Sequence, residues 1–475
     1  MNISIFGSCR QDSLYNKYNV NRIKNDISYT HSTREILEVI KYCKYGNMTP
    51  EETLYTFRTP LLNKNPILSP DVYKQDFENS ELFVLEIASR TTYEYDNKFL
   101  HHIVYDDERY VNNEIKDKII INKQTDEEIE KDIIQIKGEL QKPMIIVSHL
   151  VTWDNGERYN LAILLENICK KHDILFINPV NEIMKRGDDI DSLIEYEFEN
   201  DIKLTNHYNS TGHEAIQSIY DDYINHALYG LQCIHVCECD LEKLRIGSIS
   251  DGGYVIMDNI DYDVLISCGI SDDVTFENSM LEKYSNLICY AFDGTIQKLP
   301  ENSNNKIQFI KKNIANQEGE NTTNLVNLFE SSDNIFLKMD IETNEFQWLE
   351  IMSKEHLLKC KQIVMEFHFA FNHSDYADSI FRQFSYQIEI DRRIKCLKNI
   401  AKTHYLVHFH PNNCCGTVMY NNIEIPNVFE CTYIRKDLCK YVYPNRASIP
   451  DPAFDTKNVA GNSDIFLSGY PFTRL

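Results

Sequence analysis

The chain has 475 residues, 43% of them hydrophobic, with 72 acidic side chains against 48 basic ones, a formal net charge of −24. One core does not serve a chain of that length, so two or more domains are expected, and so acidic a surface repels phosphates, which excludes non-specific binding to nucleic acid or an anionic membrane. No apolar run approaches the roughly 20 residues that span a bilayer, and the 14 cysteines are scattered rather than packed into a short framework, which suits reduced thiols in a cytoplasmic setting.

Met1-Asn2-Ile3-Ser4-Ile5 reads as the start of a first strand, not as a signal peptide. Ile3 to Phe6 forms that strand and Gly7-Ser8-Cys9 the turn after it. A nucleophile is well placed there. The strand end is rigid, glycine permits a sharp turn, and the N–H groups of a following helix can hold an oxyanion. Apolar runs at Leu82 to Ile87, Met144 to Val147 and Ile174 to Ile177 predict further strands. Helical segments lie between them at Ser32 to Tyr42, Thr125 to Leu140 and Arg158 to Lys171. Alternating strands and helices imply a parallel sheet covered on both faces.

Asn206-His207-Tyr208-Asn209-Ser210-Thr211-Gly212-His213 leads into a helix that closes at Tyr220 to Tyr229. Taken with Gly7-Ser8, this resembles the SGNH (GDSL-like) hydrolases, which carry a serine just after the first strand and a histidine at the far end of the domain. The resemblance implies a flavodoxin-like parallel sheet over residues 1–229, with Ser8 as nucleophile and His207 as base. Leu204 stands where that family has its aspartate, and Asp201 can substitute only if the loop brings it near. Otherwise something else must fix the imidazole. The plainer reading has Ser8 capping a helix and His207 in a polar loop. His149 and Arg90, at strand ends, are further candidates for this pocket.

Gly230-Leu231-Gln232 reads as a join, and Cys233 to Cys239 alternates with period two, as a strand does. A structural zinc site needs a second ligand pair across a loop, and none is near, so no metal is expected there.

The stretch Asp251 to Glu277 organises the second half. Val264-Leu265-Ile266 is a buried strand, Ser267-Cys268-Gly269 its turn, and a second strand, Leu287 to Phe292, ends in Asp293-Gly294. A strand, a glycine turn, a helix and a second strand ending in a carboxylate describe a nucleoside half-site, with Asp293 accepting from ribose hydroxyls. Strands are also predicted at Ile307 to Ile310, Ile335 to Met339, Gln362 to Phe367, His404 to His410 and Val428 to Ile434, the last two as an antiparallel hairpin. The residues from Tyr443 on, rich in Pro, Asn and Asp, are expected to drape over the surface.

Several motifs fall in order: Arg245-Ile246-Gly247, Asp251-Gly252-Gly253-Tyr254-Val255, Ser267-Cys268-Gly269-Ile270, Ala291-Phe292-Asp293-Gly294-Thr295, Lys338-Met339-Asp340-Ile341-Glu342-Thr343-Asn344-Glu345, Val364-Met365-Glu366-Phe367-His368 and His410-Pro411-Asn412-Asn413. Over about 230 to 440 they resemble the FkbM-like class I methyltransferases. Thr343 stands where that family commonly has glycine, and the first turn is poorer in glycine. The resemblance implies a Rossmann-like seven-strand sheet in residues 230–475, S-adenosylmethionine as cofactor, and methyl transfer to an oxygen of a sugar or glycan acceptor. Gly253, Tyr254, Cys268, Gly269, Asp293 and Asp340 would then hold the cofactor. Methyl transfer needs the acceptor aligned and its proton removed. Asp340, Glu342 and His368 are the candidates for that work, with Glu366 and His410 near by. Each has a structural alternative: Asp340 capping a helix, Glu345 solvated or salt-bridged, paired carboxylates binding a divalent ion.

The expectation is an O-methyltransferase joined to an esterase or deacetylase, both acting on one polysaccharide. The alternative is a carbohydrate esterase carrying a non-catalytic methyltransferase-like binding module.

Overall fold

Apolar runs too continuous for half-exposed strands build two sheets, each buried on both faces. The computed structural model describes residues 1–20, 27–107, 113–153, 156–199, 202–249, 251–374, 377 and 388–473. They divide into two compact units, Met1–Tyr229 and Gly230–Leu475.

In the first unit, β1 (Asn2–Phe6), β2 (Asn19–Val20), β3 (Leu82–Ile87), β4 (Met144–Ser148) and β5 (Leu175–Ile177) form a parallel sheet in the order β2-β1-β3-β4-β5. The period of two sorts the core. Phe6, Phe83, Leu85 and Ile146 pack against α1 (Thr33–Tyr45), α2 (Asp126–Leu140) and α3 (Glu157–Lys171). Ile5, Val84, Ile145 and Val147 face α4 (Ser210–Tyr229) on the other side. Ser32 and Thr125 cap α1 and α2, and Thr125 completes a capping box with Glu128.

The α1 cap contains a titration. Burial pushes Glu35 up to about 8, against the lowering effect of the Ser32 hydroxyl and the His31 and Ser32 N–H groups. Unfolded, the same carboxyl titrates near ~4.3. Because the folded value is the higher one, the contribution is complete at low pH and is lost as the pH rises towards about 8. Glu35→Gln is expected to flatten the pH dependence of the urea midpoint above about pH 4.5 and to add on the order of 5 kcal/mol at pH 8. An unchanged slope would show that Glu35 is already ionised when folded.

In the second unit, β6 (Val264–Cys268), β7 (Ile288–Phe292), β8 (Ile307–Ile310), β9 (Ile335–Met339), β10 (Cys360–His368), β11 (His404–Pro411) and β12 (Val428–Arg435) form a seven-stranded sheet. Its order is β8-β7-β6-β9-β10-β12-β11. All neighbours are parallel except β12, which enters antiparallel between β10 and β11. The order reverses between β6 and β9, and that switch point opens the crevice where such sheets take ligands.

Two expectations change. Cys233 to Cys239 is not one strand: a 3₁₀ turn, Gln232–Ile234, precedes a short strand, Cys237–Cys239, which pairs with Val442–Pro444. Seven residues of period two do not exclude such a turn. The segment beyond Tyr443 does more than drape. The Phe454 carbonyl accepts from Arg245, Asp455 pairs with His408 at 2.8 Å, and Phe472 is buried against Phe409. Among the described residues no helix is long and apolar enough to cross a membrane.

Candidate functional site

The carboxyl edge of the seven-stranded sheet gathers the polar residues of the second unit. After β6 the chain turns at Gly269 with φ +75°, and a Cβ there would lie 1.6 Å from the Asp340 carbonyl oxygen, so only glycine lets the β6 and β9 loops close on each other. Asp340 N–H donates to the Cys268 carbonyl at 3.0 Å, and Lys338, buried in β9, donates to the Gly269 carbonyl at 2.5 Å. Cys268 itself is fully buried and its thiol pKa is raised by burial, so its side chain has no access to a ligand. Tyr254 O–H donates to Asp340 Oδ2 at 3.3 Å, with Lys338 Nζ 5.5 Å from the centre of its ring.

Asp293 ends β7. Its Oδ2 accepts from Ser271 N–H at 2.9 Å and its Oδ1 from Thr295 N–H at 2.7 Å and Thr295 O–H at 2.5 Å. Burial pushes its pKa up, but the Thr295 and Ser271 donors outweigh that and hold it below the usual range. The Ile296 N–H also bears on this carboxylate, so its roughly four lone-pair sites are taken up by loop donors, and a ribose hydroxyl would have to replace one of them.

Next along the edge comes a row of acids and histidines. Register places Glu430 of β12 directly between Glu366 of β10 and His410 of β11. Like charges opposite one another repel. Burial first, and then the charges of Asp340 and Glu430, raise the pKa of Glu366 well above that of an ordinary carboxyl. Glu366 Oε1 accepts from Asn412 at 3.0 Å, and Glu430 accepts from Asn458 at 2.7 Å and pairs with His410 at 3.1 Å. Oxygens of Asp251, Glu366 and Glu430 lie within 4.8 Å of one another, as do ligand atoms of Asp340, Glu342 and His368.

His368 Nδ1 is 3.2 Å from Glu345 Oε1, which also takes the His368 N–H at 2.7 Å. Burial pushes the pKa of His368 down, but Glu345, Glu366 and Asp340 outweigh it and raise it well above its ordinary range. Both ring nitrogens face carboxylates, Nδ1 that of Glu345 and Nε2 that of Glu342, so neither is turned to an acceptor hydroxyl. Glu345, expected to be solvated or salt-bridged, takes the second course: it is fully buried and paired with this histidine. The strand does not run on to Glu342: β9 stops at Met339, and Glu342 and Thr343 turn with φ +53° and +77°. That turn brings Glu342 Oε2 to 3.4 Å from His368 Nε2. Gly253 sits in a tight loop, where a Cβ would meet the Ser248 carbonyl at 1.9 Å.

In the first unit the carboxyl edge presents Ser8, Cys9, Glu86 and His149. Ser8 is buried at the start of a 3₁₀ helix, and both its N–H (2.8 Å) and its hydroxyl (2.5 Å) donate to Glu86 Oε2. Gln11 donates to the same oxygen at 3.0 Å, and His149 Nδ1 meets Oε1 at 3.0 Å. Burial pushes Glu86 up, but His149, Ser8 and the charge of Arg10 together hold it well below the usual range. Burial lowers the pKa of His149, and because Arg158 can only donate, His149 Nε2 accepts from it at 3.1 Å and Nδ1 is the donor to Glu86. The expected Ser8–His207 pair does not form. His207 Nε2 instead lies 2.9 Å from Cys9 Sγ. A register shift between Thr205 and His207, where Ile202–Tyr208 pairs with Ile194–Glu199, sets that direction. Asp201 lies outside the described residues. Arg90 binds Asp126 at 2.6 Å at the start of α2, a structural role.

Sequence reading missed Cys9, Glu86, Lys338 and Glu430. The last three shared a visible signal, a charged residue inside an otherwise apolar strand, which has to be paired or functional.

No family model matches the chain, and no curated protein does. Solved structures similar to it include the complex of fibrillarin with Nop5p, at 15% identity over 36% of this chain and 72% of that one, with a TM-score of 0.23. A hemolysin homologue from Streptococcus thermophilus matches at 10% identity over 38% and 62%, with a TM-score of 0.24. The methyltransferase CalO1 of calicheamicin biosynthesis, in its SAH-bound form, matches at 9% over 38% and 50%, with a TM-score of 0.21. The chain thus spans less than two thirds of the latter two.

Proposed function

We propose that Gly230–Leu475 is an S-adenosylmethionine-dependent O-methyltransferase of the FkbM-like kind acting on a sugar or glycan hydroxyl. The observation that carries this reading is the placement of Asp293, Gly269 and the acidic row side by side along the carboxyl edge of a sheet ordered β8-β7-β6-β9-β10-β12-β11. The donor set fits the cofactor: the carboxylates of Asp251, Asp340 and Glu430 suit a cation, and Asp293 would meet ribose hydroxyls by exchanging one of its loop donors. When bound, the cofactor supplies a methyl group on a sulfonium. Asp340 is the residue placed to take the acceptor proton, because Tyr254 occupies Oδ2 and leaves Oδ1 for a substrate hydroxyl.

The test is titration calorimetry of the intact chain with S-adenosylmethionine and with S-adenosylhomocysteine, which lacks the sulfonium charge. The charged form is expected to bind about 10-fold more tightly, one favourable charge interaction of about 1.4 kcal/mol. Asp251 and Glu366 have raised pKa values, caused first by burial and then by the acids around them. Raising the pH removes their protons, so the preference is expected to widen with pH. No binding of either compound by folded protein would sink the proposal and leave the second unit a non-catalytic module.

A second reading belongs to the first unit and rests on the 2.9 Å approach of Cys9 Sγ to His207 Nε2. A thiol–imidazole pair suits acyl-ester cleavage. Cys9 sulfur would bond the acyl carbon while its proton passes to His207 and then to the departing alcohol. Water would hydrolyse the thioester, returning the thiol.

A further inference from the structure

The first unit holds a second cluster that neither reading uses. We propose that His31, His101 and His102 form a binding site for one divalent transition-metal ion of the zinc type.

All three are carried on fixed backbone. His31 directly precedes the Ser32 cap of α1, and its carbonyl accepts from the N–H groups of Ala88 (2.8 Å) and Ser89 (2.9 Å) just beyond β3. His101 and His102 follow Lys98–Leu100, a strand of a small antiparallel sheet with Thr91–Tyr95 and Ile120–Lys123. His101 N–H is held by the Thr56 carbonyl at 3.0 Å. The ring centres are 5.0 Å apart for His31 and His101, 4.8 Å for His31 and His102, and 4.6 Å for His101 and His102. Each ring brings one nitrogen to within 4.8 Å of the other two.

Ring stacking alone would account for the proximity, but not for the nitrogens. His101 is 3% exposed, and its Nε2, like the buried Nδ1 of His31, has no hydrogen-bond partner among the described residues. A buried polar atom without a partner costs ~1–3 kcal/mol, and two such atoms on rings whose centres are 5.0 Å apart call for a common ligand. His102 shows the orientation typical of a metal ligand. Its Nδ1 lies 3.0 Å from Asp106 Oδ2, which also accepts from Tyr93 O–H at 3.1 Å, and this leaves Nε2 as the lone-pair nitrogen. Zinc–nitrogen bonds of about 2.0–2.1 Å require the three nitrogens to draw in by rotation of the rings. Ligation through His101 Nε2 moves the ring proton to Nδ1 and gives up the long 3.3 Å bond from Ile103 N–H. Three imidazoles leave the fourth tetrahedral position open.

The experiment uses the whole chain without a polyhistidine tag. Metal content is measured by mass spectrometry, and the demetallated protein is then titrated with zinc and with cobalt, whose visible absorption reports tetrahedral nitrogen ligation. The expected result is about one equivalent of metal per chain, affinity reduced ~100-fold or more in His101→Gln and His31→Gln, and a smaller loss of ~10-fold in Asp106→Asn. Circular dichroism verifies that each variant folds, and the exposed Asp106 offers a route if His101→Gln does not. No metal uptake by folded wild type would overturn the site. So would uptake that survives the histidine variants, or uptake that disappears in Cys9→Ala or His207→Gln instead.

Discussion

Asp293→Ala is expected to weaken S-adenosylmethionine binding by about 100-fold, some 3 kcal/mol for the loss of charge-assisted hydrogen bonds to a ribose. Calorimetry on the intact chain measures it directly. The same carboxylate also receives the N–H of Ser271 and both donors of Thr295, so the substitution frees loop groups as well as removing a ligand contact. Thr295→Val separates the two effects. It removes a hydroxyl donor from Oδ1 and leaves the carboxylate in place, and affinity should stay within about 5-fold, since a single such bond contributes ~1 kcal/mol or less when water can replace it. If Thr295→Val reproduces the full loss, Asp293 acts by shaping the loop. If Asp293→Ala binds normally, the nucleoside site lies elsewhere.

In the first unit, Cys9→Ala is expected to abolish hydrolysis of an aryl acetate, a fall of at least ~1,000-fold, as for removal of any nucleophile from a coupled pair. His207→Gln should cost ~100-fold or more by removing the base. Ser8→Ala is expected to behave differently. It deletes a donor to a buried, ionised Glu86, which lowers stability by ~1–3 kcal/mol. The thiol and imidazole stay in place, so the folded fraction keeps its activity and its alkylation by iodoacetamide. The reverse pattern, with Ser8→Ala dead and Cys9→Ala active, would restore the serine as nucleophile.

The strands of both sheets were legible because they are short apolar runs bounded by turn residues. Leu82–Ile87, Ile307–Ile310 and Ile335–Met339 begin and end where the composition changes. Gly269 and Asp293 were legible for a related reason: both sit at the ends of such runs, and their roles follow from local order along the chain. The rest depended on non-local facts. Ser8 and Cys9 are neighbours, and only the backbone angles of the turn and the register shift before His207 decide which one meets the imidazole. Glu366, Glu430 and His410 form a row because β12 inserts between β10 and β11, an arrangement that no spacing along the chain records. Asn458 and Asp455 reach Glu430 and His408 from a segment whose composition reads only as loop.

Glu342 and Thr343 have a further consequence, for how the protein can evolve. Two successive non-glycine residues at positive φ, one of them β-branched and buried, hold strain of ~1–3 kcal/mol each. Selection for robustness favours glycine at the second position, which would relax the turn. Selection for the site opposes it, because the stiff turn holds Glu342 against His368 and keeps the β9 loop beside Gly269. The two pressures conflict at this pair, so lineages that relax it would gain heat tolerance while losing definition of the acidic row.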